Sequence, residues 1–339
     1  MRSLCAALTL VACVAALPTL AVAQPSISRK FSKLPRITYS ANGLNNSGEI
    51  VGGALLGDGE NAFLINTKGK MKNLGSLGGN YGFANGVNDH GDIVGTSLDA
   101  AGGRYAFLYS KGNMLDLGSL GGGQGIGGFV SEAYAVNNHQ VVVGLSIMPN
   151  GEPHAFLYSQ GTMTDLNTLF ANSNGSAAHA VNKYGDVVGY TIPPSGLGNY
   201  AFLYSNGQML VLGSGDSNSI AYSVNDSGEV VGSVADNPQE SPHAFLYSNG
   251  QMTELGALGA IPSQAYGINN HGDIVGSFAV TEADPSYQHP FIVHANGRFV
   301  DLAPEAGQGR AIAVNNHGQV LGYFNPASGV GAYYFLYTP

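Results

Sequence analysis

Apolar and small residues occur along this chain in short runs, and each run ends at a turn sequence rich in Asn and Gly. Residues 220–224, 229–234, 243–248 and 251–255 form one set of four such runs. The second run is rich in β-branched residues, and the Asn-Gly step between the third and fourth is a strong hairpin signal. The pattern predicts four antiparallel strands, because no copy holds the sustained 3.6-residue periodicity of a helix.

The same set of runs returns seven times. Each copy has an Asn after an aliphatic residue and, 18 to 22 residues later, a Phe that follows Ala in copies 1 to 5, Pro290 in copy 6 and Tyr334 in copy 7. Successive Asn anchors lie 43 to 49 residues apart, which is the period of propeller blades. The repeat therefore predicts an all-β, seven-bladed β-propeller with four-stranded antiparallel blades. The anchors are Asn45, Asn88, Asn137, Asn182, Asn225, Asn269 and Asn315.

The ends of the repeat array predict how the ring closes. Copy 7 stops after its third strand, whereas residues 30–34 precede copy 1 and read like the fourth strands at 70–74 and 251–255. We predict that this N-terminal strand completes the last blade and closes the ring, which would hide the sheet edges. An open solenoid is the alternative, and it would need polar caps at both ends.

The first residues are typical of a secretory signal. Arg2 precedes an apolar run from Leu4 to Ala23 that ends in a small-residue cleavage motif. We expect cleavage after Ala23; an uncleaved anchor and lipoprotein processing at Cys13 are alternatives. Both cysteines fall in this leader, so the exported chain would hold no disulfide. This indicates a bacterial protein that is secreted, periplasmic or at the cell surface.

These patterns divide the chain into a signal peptide at 1–23 and a single propeller domain at 24–339. The predicted repeats span about 37–79, 80–129, 130–175, 176–219, 220–263, 264–309, and 310–339 together with 30–34.

Composition narrows the classes of function. The net charge is −9, charged residues make up 10% of the chain, and Lys and Arg do not cluster. A nucleic-acid-binding protein needs a basic surface, so we expect that this protein does not bind nucleic acid. Segment 121–128 contains a formal G-x-G-x-x-G, but no βαβ unit surrounds it, so we expect no dinucleotide or other cofactor. We also expect a monomer without stable membrane insertion after signal cleavage.

The copies resemble the bacterial HAF-repeat extracellular proteins, which are named for His-Ala-Phe. The motif stands at 154–159 and 243–248, each reading His-Ala-Phe-Leu-Tyr-Ser, and Val-Asn-Asn-x-Gly-x-Val-Val-Gly and Met-x-x-Leu-Gly-x-Leu-Gly-Gly phrases flank it. The resemblance covers about residues 30–339. It departs from the motif where Asn61, Tyr105, Tyr200 and Tyr333 replace the His and Pro290 replaces the Ala. The resemblance implies secretion or surface display and no settled activity.

The histidines admit a functional and a structural interpretation. His154, His243 and His289 open third strands, where they could form a metal or catalytic ring or fix a blade edge by hydrogen bonds. Hydrogen bonding is favoured because Tyr and Asn replace them in other copies. A second set is expected to be solvated at turn tips: His90, His139, His271 and His317. The stretch 88–92 is similar to a calcium loop but lacks its distal Glu, so we predict a turn and no metal site.

The first strand of each copy alternates small and bulky residues, as in Ala133-Tyr134-Ala135-Val136. Because strand side chains alternate between faces, we predict that the small residues line the axis, where seven sheets converge. Phe and Tyr of the third strand would then fill the wider gaps between blades.

The most variable segments join strands two and three and join one blade to the next, and these emerge on one face. Function tends to reside on loops that a rigid scaffold holds. We therefore predict no assigned catalytic residue but a ligand-binding face that binds a glycan, polymer or protein partner. The alternatives are a polysaccharide hydrolase or lyase with acidic and His residues at the central mouth, and a structural role in a surface layer. The candidate binding residues are Asp99, Arg104, Glu152, Asn199, Tyr200, Glu240, Glu282, Asp284, Tyr287, Glu305 and Arg310.

Overall fold

Nearly all regular structure in the chain is β. The computed structural model describes residues 31–34, 40–57, 59–121, 128–213, 217–255, 261–281, 284–303, 307–325 and 333–339. Within these residues, helix is limited to short 3-10 segments such as Asn167–Leu169. The predicted signal peptide at 1–23 lies outside the described residues, as do Glu282 and Glu305.

Copies 1 to 6 each form four antiparallel strands that pair in chain order, and copy 7 forms three that the N-terminal strand joins; a single parallel bridge also links the sheets of copies 1 and 2. Sheet 1 contains β2 (Ser40–Leu44), β3 (Ile50–Leu56), β4 (Gly59–Ile65) and β5 (Met71–Gly75). Sheet 2 contains β6 (Gly78–Val87), β7 (Ile93–Asp99), β8 (Arg104–Ser110) and β9 (Asn113–Asp116). Sheet 3 contains β10 (Ser131–Val136), β11 (Val142–Ile147), β12 (Pro153–Ser159) and β13 (Thr162–Asp165). Sheet 4 contains β14 (Gly175–Val181), β15 (Val187–Ile192), β16 (Tyr200–Ser205) and β17 (Gln208–Val211).

The remaining copies follow the same order. Sheet 5 contains β18 (Asn218–Val224), β19 (Val230–Ala235), β20 (His243–Ser248) and β21 (Gln251–Glu254). Sheet 6 contains β22 (Ser263–Ile268), β23 (Ile274–Thr281), β24 (Asp284–Val293) and β25 (Phe299–Asp301). Sheet 7 contains β26 (Gln308–Val314), β27 (Val320–Asn325), β28 (Tyr333–Tyr337) and the N-terminal β1 (Phe31–Lys33). Strand β1 pairs antiparallel with β28, with Phe31 opposite Tyr337 and Lys33 opposite Phe335.

Hydrophobic side chains pack between neighbouring sheets. The Phe of every Ala-Phe step is 0% exposed. Phe107 of sheet 2, for example, packs against Val51 and Ala62 of sheet 1. A further cluster joins Leu321 of sheet 7 to Phe63 of sheet 1. The described sheets are therefore covered on both faces, which explains their weak polar alternation.

The repeated Asn of each copy forms a turn and also joins that copy to the next. Asn225, for example, accepts hydrogen bonds at Oδ1 from the backbone N–H groups of Ser227 and Glu229, and its Nδ2 donates to the Asn269 carbonyl. The same inter-sheet bond recurs from each anchor to the next at 2.9–3.2 Å, and Asn315 donates to the Asn45 carbonyl. We call these seven anchors the turn circuit. Each is only 3–6% exposed, so the hydrogen bonds replace the water that burial removes.

The first strand of every described sheet has a β-bulge at the same place. In sheet 3, Ala133 pairs with Gly144 and Ala135 pairs with Val143, so Tyr134 has no partner of its own. The strands approach so closely here that a Cβ on Gly144 would lie 1.9 Å from the Glu132 carbonyl oxygen. The bulge therefore explains the Gly of each Val-Val-Gly phrase.

The bulge also overturns the expectation that small residues line the axis. Ala133 and its counterparts in the other copies are 0% exposed and pack in the clusters between sheets. In sheets 3 to 6 the residue after this Ala lies instead against the equivalent residue of the next sheet, because an extra residue in one strand changes the direction of its side chain. Simple two-residue alternation could not anticipate this.

Candidate functional site

The bulged positions carry seven side chains, one on the first strand of each sheet. We call these the bulge residues; they differ from copy to copy, unlike the turn circuit three residues later. Each is partly exposed. They are Asn42, Asn85, Tyr134, His179, Tyr222, Tyr266 and Ile312.

Aromatic rings from sheets 3 to 6 form a continuous series. The Tyr134 and His179 ring centroids are 5.7 Å apart, edge to face. His179 stacks on Tyr222 at 5.5 Å with an interplanar angle of 8°, and Tyr222 lies 5.3 Å from Tyr266. Tyr190, on the second strand of sheet 4, lies 5.5 Å from His179. Such geometry is favourable for aromatic pairs and presents an extended ring surface.

Amides and one carboxylate continue the series on the side of sheets 1 to 3. Asn42 donates through Nδ2 to the Ala84 carbonyl, and Asn85 donates to Glu132 Oε1 at 2.8 Å. Tyr134 is also hydrogen-bonded to Glu132, which joins the amide side to the aromatic side. We call the bulge residues together with Glu132 and Tyr190 the central cluster.

Burial shifts the pKa of two groups in this cluster in opposite directions. It raises the pKa of the Glu132 carboxyl, although hydrogen bonds from Asn85 and Tyr134 and the Arg104 charge act against it. Burial lowers the pKa of His179, although a hydrogen bond with the Ala221 carbonyl acts against it. His179 Nδ1 lies 3.0 Å from that carbonyl. Nδ1 must therefore carry the proton in the neutral ring, which leaves Nε2 as an acceptor.

A polar cavity of about 400 Å³ lies at the turn end of the first strands. Residues from all the described sheets contribute to its lining, including Asp89, Asp226, Lys183, Asn138 and Asn270. Most of these polar groups bond each other: Asp226 accepts from Lys183 Nζ at 3.3 Å and from Asn270 Nδ2 at 2.7 Å. Burial would raise the pKa of Asp89, but hydrogen bonds from Asn46 and Asn138 outweigh it and lower the pKa.

Four of the sequence-predicted candidates are engaged in their own loops, and a fifth, Asn199, bonds to the first strand of the next sheet. Asp99 accepts from the backbone N–H groups of residues 101 and 103, and Glu152 accepts from Asn150 Nδ2. Glu240 accepts from Asn237, and Asp284 accepts from the Ser286 backbone and hydroxyl. The Asn199 N–H donates to Asn218 Oδ1. Hydrogen bonds of this kind shape the loops.

The other described candidates divide between the central cluster and separate surfaces. Arg310 lies beside the central cluster, with its guanidinium carbon 5.7 Å from the Tyr266 ring centroid. Arg104 lies 4.5 Å from the Tyr81 ring centroid and donates to its hydroxyl at 3.1 Å. Tyr200 lines a mainly apolar groove of about 420 Å³, between sheets 3 and 4. The Tyr287 ring lies 5.7 Å from that of His289.

The structural interpretation of the motif histidines is confirmed in two copies. His154 Nδ1 lies 2.8 Å from Asp165 Oδ2, and His289 Nδ1 lies 2.9 Å from Asp301 Oδ2, so each His ties a third strand to the fourth. His243 Nδ1 is buried and has no hydrogen-bond partner among the described residues. The turn-tip histidines are exposed, as predicted. Within the described part of the chain, no group of three His, Cys, Asp or Glu side chains is arranged to hold a metal ion.

Sequence reasoning missed most of the central cluster. Tyr134, Tyr222 and Tyr266 were visible as the bulky residues of first strands, but the alternation of faces gave the axis to the small residues and no functional role to these tyrosines. The available signal was the position itself: it varies among Asn, Tyr, His and Ile inside an otherwise uniform phrase.

Comparisons with known proteins show the fold alone. No family model and no curated protein matches the chain. Oligogalacturonate lyase from Vibrio parahaemolyticus is similar with a TM-score of 0.60 and 10% identity, over 93% of this chain and 95% of that one. The β-propeller domain of the Trilobed protease from Pyrococcus furiosus has a TM-score of 0.55 and 8% identity, over 88% and 95%. Puromycin hydrolase has a TM-score of 0.56 and 10% identity; 84% of this chain covers 49% of it, so the present chain spans about half its length.

These likenesses and the described strands agree on an all-β, propeller-like architecture of four-stranded antiparallel sheets. In the described part of the chain, no helix has the length and apolarity needed to cross a bilayer.

Proposed function

We propose that this protein is a secreted, closed seven-bladed β-propeller that binds a glycan at the central cluster. The seven sheets would be its blades, and the bulge residues would line the channel along its axis. It would act as a monomer that binds neither nucleic acid nor membrane. The observation that supports this proposal most strongly is the continuous series of aromatic rings, together with the amide and carboxyl groups of Asn42, Asn85 and Glu132.

Three contacts between sheet 7 and sheet 1 support the closed ring. Strand β1, which precedes the strands of sheet 1 in the sequence, pairs with β28 in sheet 7. The turn circuit continues from Asn315 to Asn45 at 3.0 Å. Leu321 packs against Phe63 as its counterparts do between other sheets. A closed ring would leave no exposed blade edge, which favours a monomer.

The chemistry of the central cluster supports a sugar as ligand. The faces of sugar rings carry C–H groups that pack on aromatic rings, and their hydroxyls pair with amides and carboxylates. Tyr134, His179, Tyr222 and Tyr266 offer the first kind of surface. Asn42 and Asn85, on the amide side of the cluster, offer the second. A largely apolar surface with a few convergent polar groups is typical of ligand sites.

The proposal of secretion rests on the sequence of the leader. An extracellular or periplasmic propeller would meet polysaccharides of the cell surface or surroundings, which suits a glycan ligand. The HAF-repeat resemblance is in accord with this location. Measuring the N-terminus of the exported protein would test the predicted cleavage after Ala23.

One observation favours a second function, a polysaccharide hydrolase or lyase. Glu132, with its raised pKa, is linked through Tyr134 to His179, with its lowered pKa. A carboxyl pKa shifted upward and an imidazole pKa shifted downward are shifts in the directions that general acid and general base catalysis use. The binding function is preferred because it needs no step beyond the contacts described.

A glycan screen with purified protein spanning residues 24–339 tests both functions. We expect binding to at least one polysaccharide, and Tyr222→Ala should weaken it by about tenfold or more, since stacking on a ring contributes on the order of 1 kcal/mol or more. Tyr184→Ala is the matched control, because Tyr184 is 70% exposed and lies in the turn that follows Asn182. Equal losses in both variants, or no binding to any glycan, would contradict the proposed site.

Turnover should be measured in the same samples. Product release that disappears in both Glu132→Gln and His179→Gln would establish the enzymatic function instead. Binding without product release would support the binding function.

A further inference from the structure

Arg310 is the basic residue that lies beside the aromatic side of the central cluster. Arg310 occupies in β26 the position equivalent to that of Glu132 in β10. Each residue directly precedes the bulge of its own sheet. The side chain of Arg310 is exposed. Within the described residues, no carboxylate pairs with it inside 4 Å.

The surroundings of Arg310 combine a cation with a ring surface. Its guanidinium carbon lies 5.7 Å from the Tyr266 centroid, and Tyr266 lies 5.3 Å from Tyr222. Burial raises the pKa of both tyrosines, and the positive charge of Arg310 acts against that rise in each. The positive charge of Arg310 therefore lies close enough to influence two neighbouring rings of the central cluster.

We propose that the glycan carries carboxylate groups, as an oligosaccharide of uronic acids does, and that Arg310 binds one of them. This inference rests on the proposed function and names its ligand class. An Arg guanidinium matches a carboxylate in a two-point, charge-assisted hydrogen bond, while the adjacent sugar ring packs on Tyr266 or Tyr222.

The distribution of charge favours a uronate over a densely charged polyanion. The whole protein carries a net charge of −9, so a heavily sulfated chain or a polyphosphate would be repelled. Glu132, on the opposite part of the cluster, also opposes a ligand with several charges on each sugar. A single carboxylate per sugar places one charge at Arg310 and leaves hydroxyl groups for Glu132 and Asn85.

The test compares a short oligogalacturonate with its carboxyl-reduced, neutral counterpart, by calorimetry on protein spanning residues 24–339. We expect the acidic sugar to bind about tenfold to a hundredfold more tightly, the range of a charge-assisted hydrogen bond. Arg310→Gln should remove this preference, so that the variant binds the acidic and the neutral sugar about equally well. Arg310→Lys should keep part of it, and raising the salt concentration should reduce it in the wild type.

Arg298→Gln is the matched control, because Arg298 is exposed beside His294 in a separate cavity of sheet 6. It should leave the preference unchanged. Equal binding of acidic and neutral sugars would overturn the uronate assignment and leave the glycan proposal standing. A sulfated neutral sugar that binds as tightly as the uronate would also overturn the assignment. Absence of binding to every sugar would overturn both proposals.

Discussion

The turn circuit and the bulge residues lie three positions apart in every copy, yet the chain uses them in opposite ways. The turn circuit is Asn seven times, and each side chain is buried and bonded to the next copy. The bulge residues are two Asn, three Tyr, one His and one Ile, and all are partly exposed. A position whose partner is the neighbouring copy must stay the same, whereas a position directed at a shared central space can differ.

The comparison depends on the proposed closed ring, so removing the strand that would close it should have the largest effect. Protein beginning at residue 37 lacks β1 and should melt more than about 5 °C below protein beginning at residue 24, because the pairing edge of β28 is exposed. Differential scanning calorimetry measures the shift. Equal melting temperatures would show that β1 does not stabilise the ring.

A matched pair within one copy separates stability from binding. Asn225→Ala removes two backbone-capping hydrogen bonds and the bond to the Asn269 carbonyl. We expect it to lower the free energy of unfolding by about 2–4 kcal/mol, since buried partners are left unsatisfied. Tyr222→Ala should change melting far less and glycan binding far more. The reverse pattern in denaturant and binding titrations would contradict the division of roles.

The bulge itself can be tested at the glycine that faces it. Gly144→Ala would place a Cβ 1.9 Å from the Glu132 carbonyl oxygen. Relief of that clash should cost about 1–3 kcal/mol of stability, as overpacking does, and should displace Glu132 from the cluster. Gly82→Ala, where the nearest atom lies at 3.3 Å, should cost less in urea unfolding. Equal costs would argue against a close approach at the bulge.

Acid should destabilise the central cluster through His179. Burial lowers its pKa in the folded protein below the ordinary value of 6.5, so below about pH 6.5 the unfolded chain binds a proton that the native chain does not. Stability should therefore fall as pH falls through this range. Glu132, whose pKa is raised, acts in the opposite direction nearer its ordinary value of 4.5.

His179→Phe should reduce this loss of stability, whereas His139→Phe, at an exposed turn, should not. Melting temperatures recorded at about pH 7.5 and pH 5.5 give the comparison. An unchanged pH dependence in His179→Phe would assign the effect to another group.

The smallest effect concerns a missing bond beside the turn circuit. In six copies the residue after the anchor accepts a hydrogen bond from the previous copy, as Asn270 does from the Asp226 N–H. Lys183 has no acceptor to offer Asn138, although its own N–H donates to Asp226. Lys183→Asn should restore the bond and raise the melting temperature by roughly 1–3 °C. A lower melting temperature would show that the Lys183–Asp226 ion pair matters more.

Much of the fold could be predicted from the sequence because the repeat encodes it in local residue patterns. The strands, the Asn-x-x-Gly turns and the buried Phe all follow from local patterns that recur at a fixed period. The pairing of residues 31–33 with the last strand was predictable because one copy lacked a fourth strand.

The candidate site was less predictable. Loop residues such as Asp99 and Glu240 differ between copies, but each is occupied by hydrogen bonds within its own loop. Among the described candidates, Arg310 lies against a ring of the central cluster, that of Tyr266. Residue variation between copies therefore indicated a candidate binding site only at positions where side chains from several copies meet.

The sequence by itself determined the strand order, the turns and the buried faces, because those depend on residues close together in the chain. The tertiary structure decided which residues meet at the centre. A bulge in each first strand turns Tyr134, His179 and Tyr222 towards one another, although 43 to 45 residues separate neighbouring members. That extra residue depends on the close approach of two strands, and a pattern of alternation along one strand does not contain it.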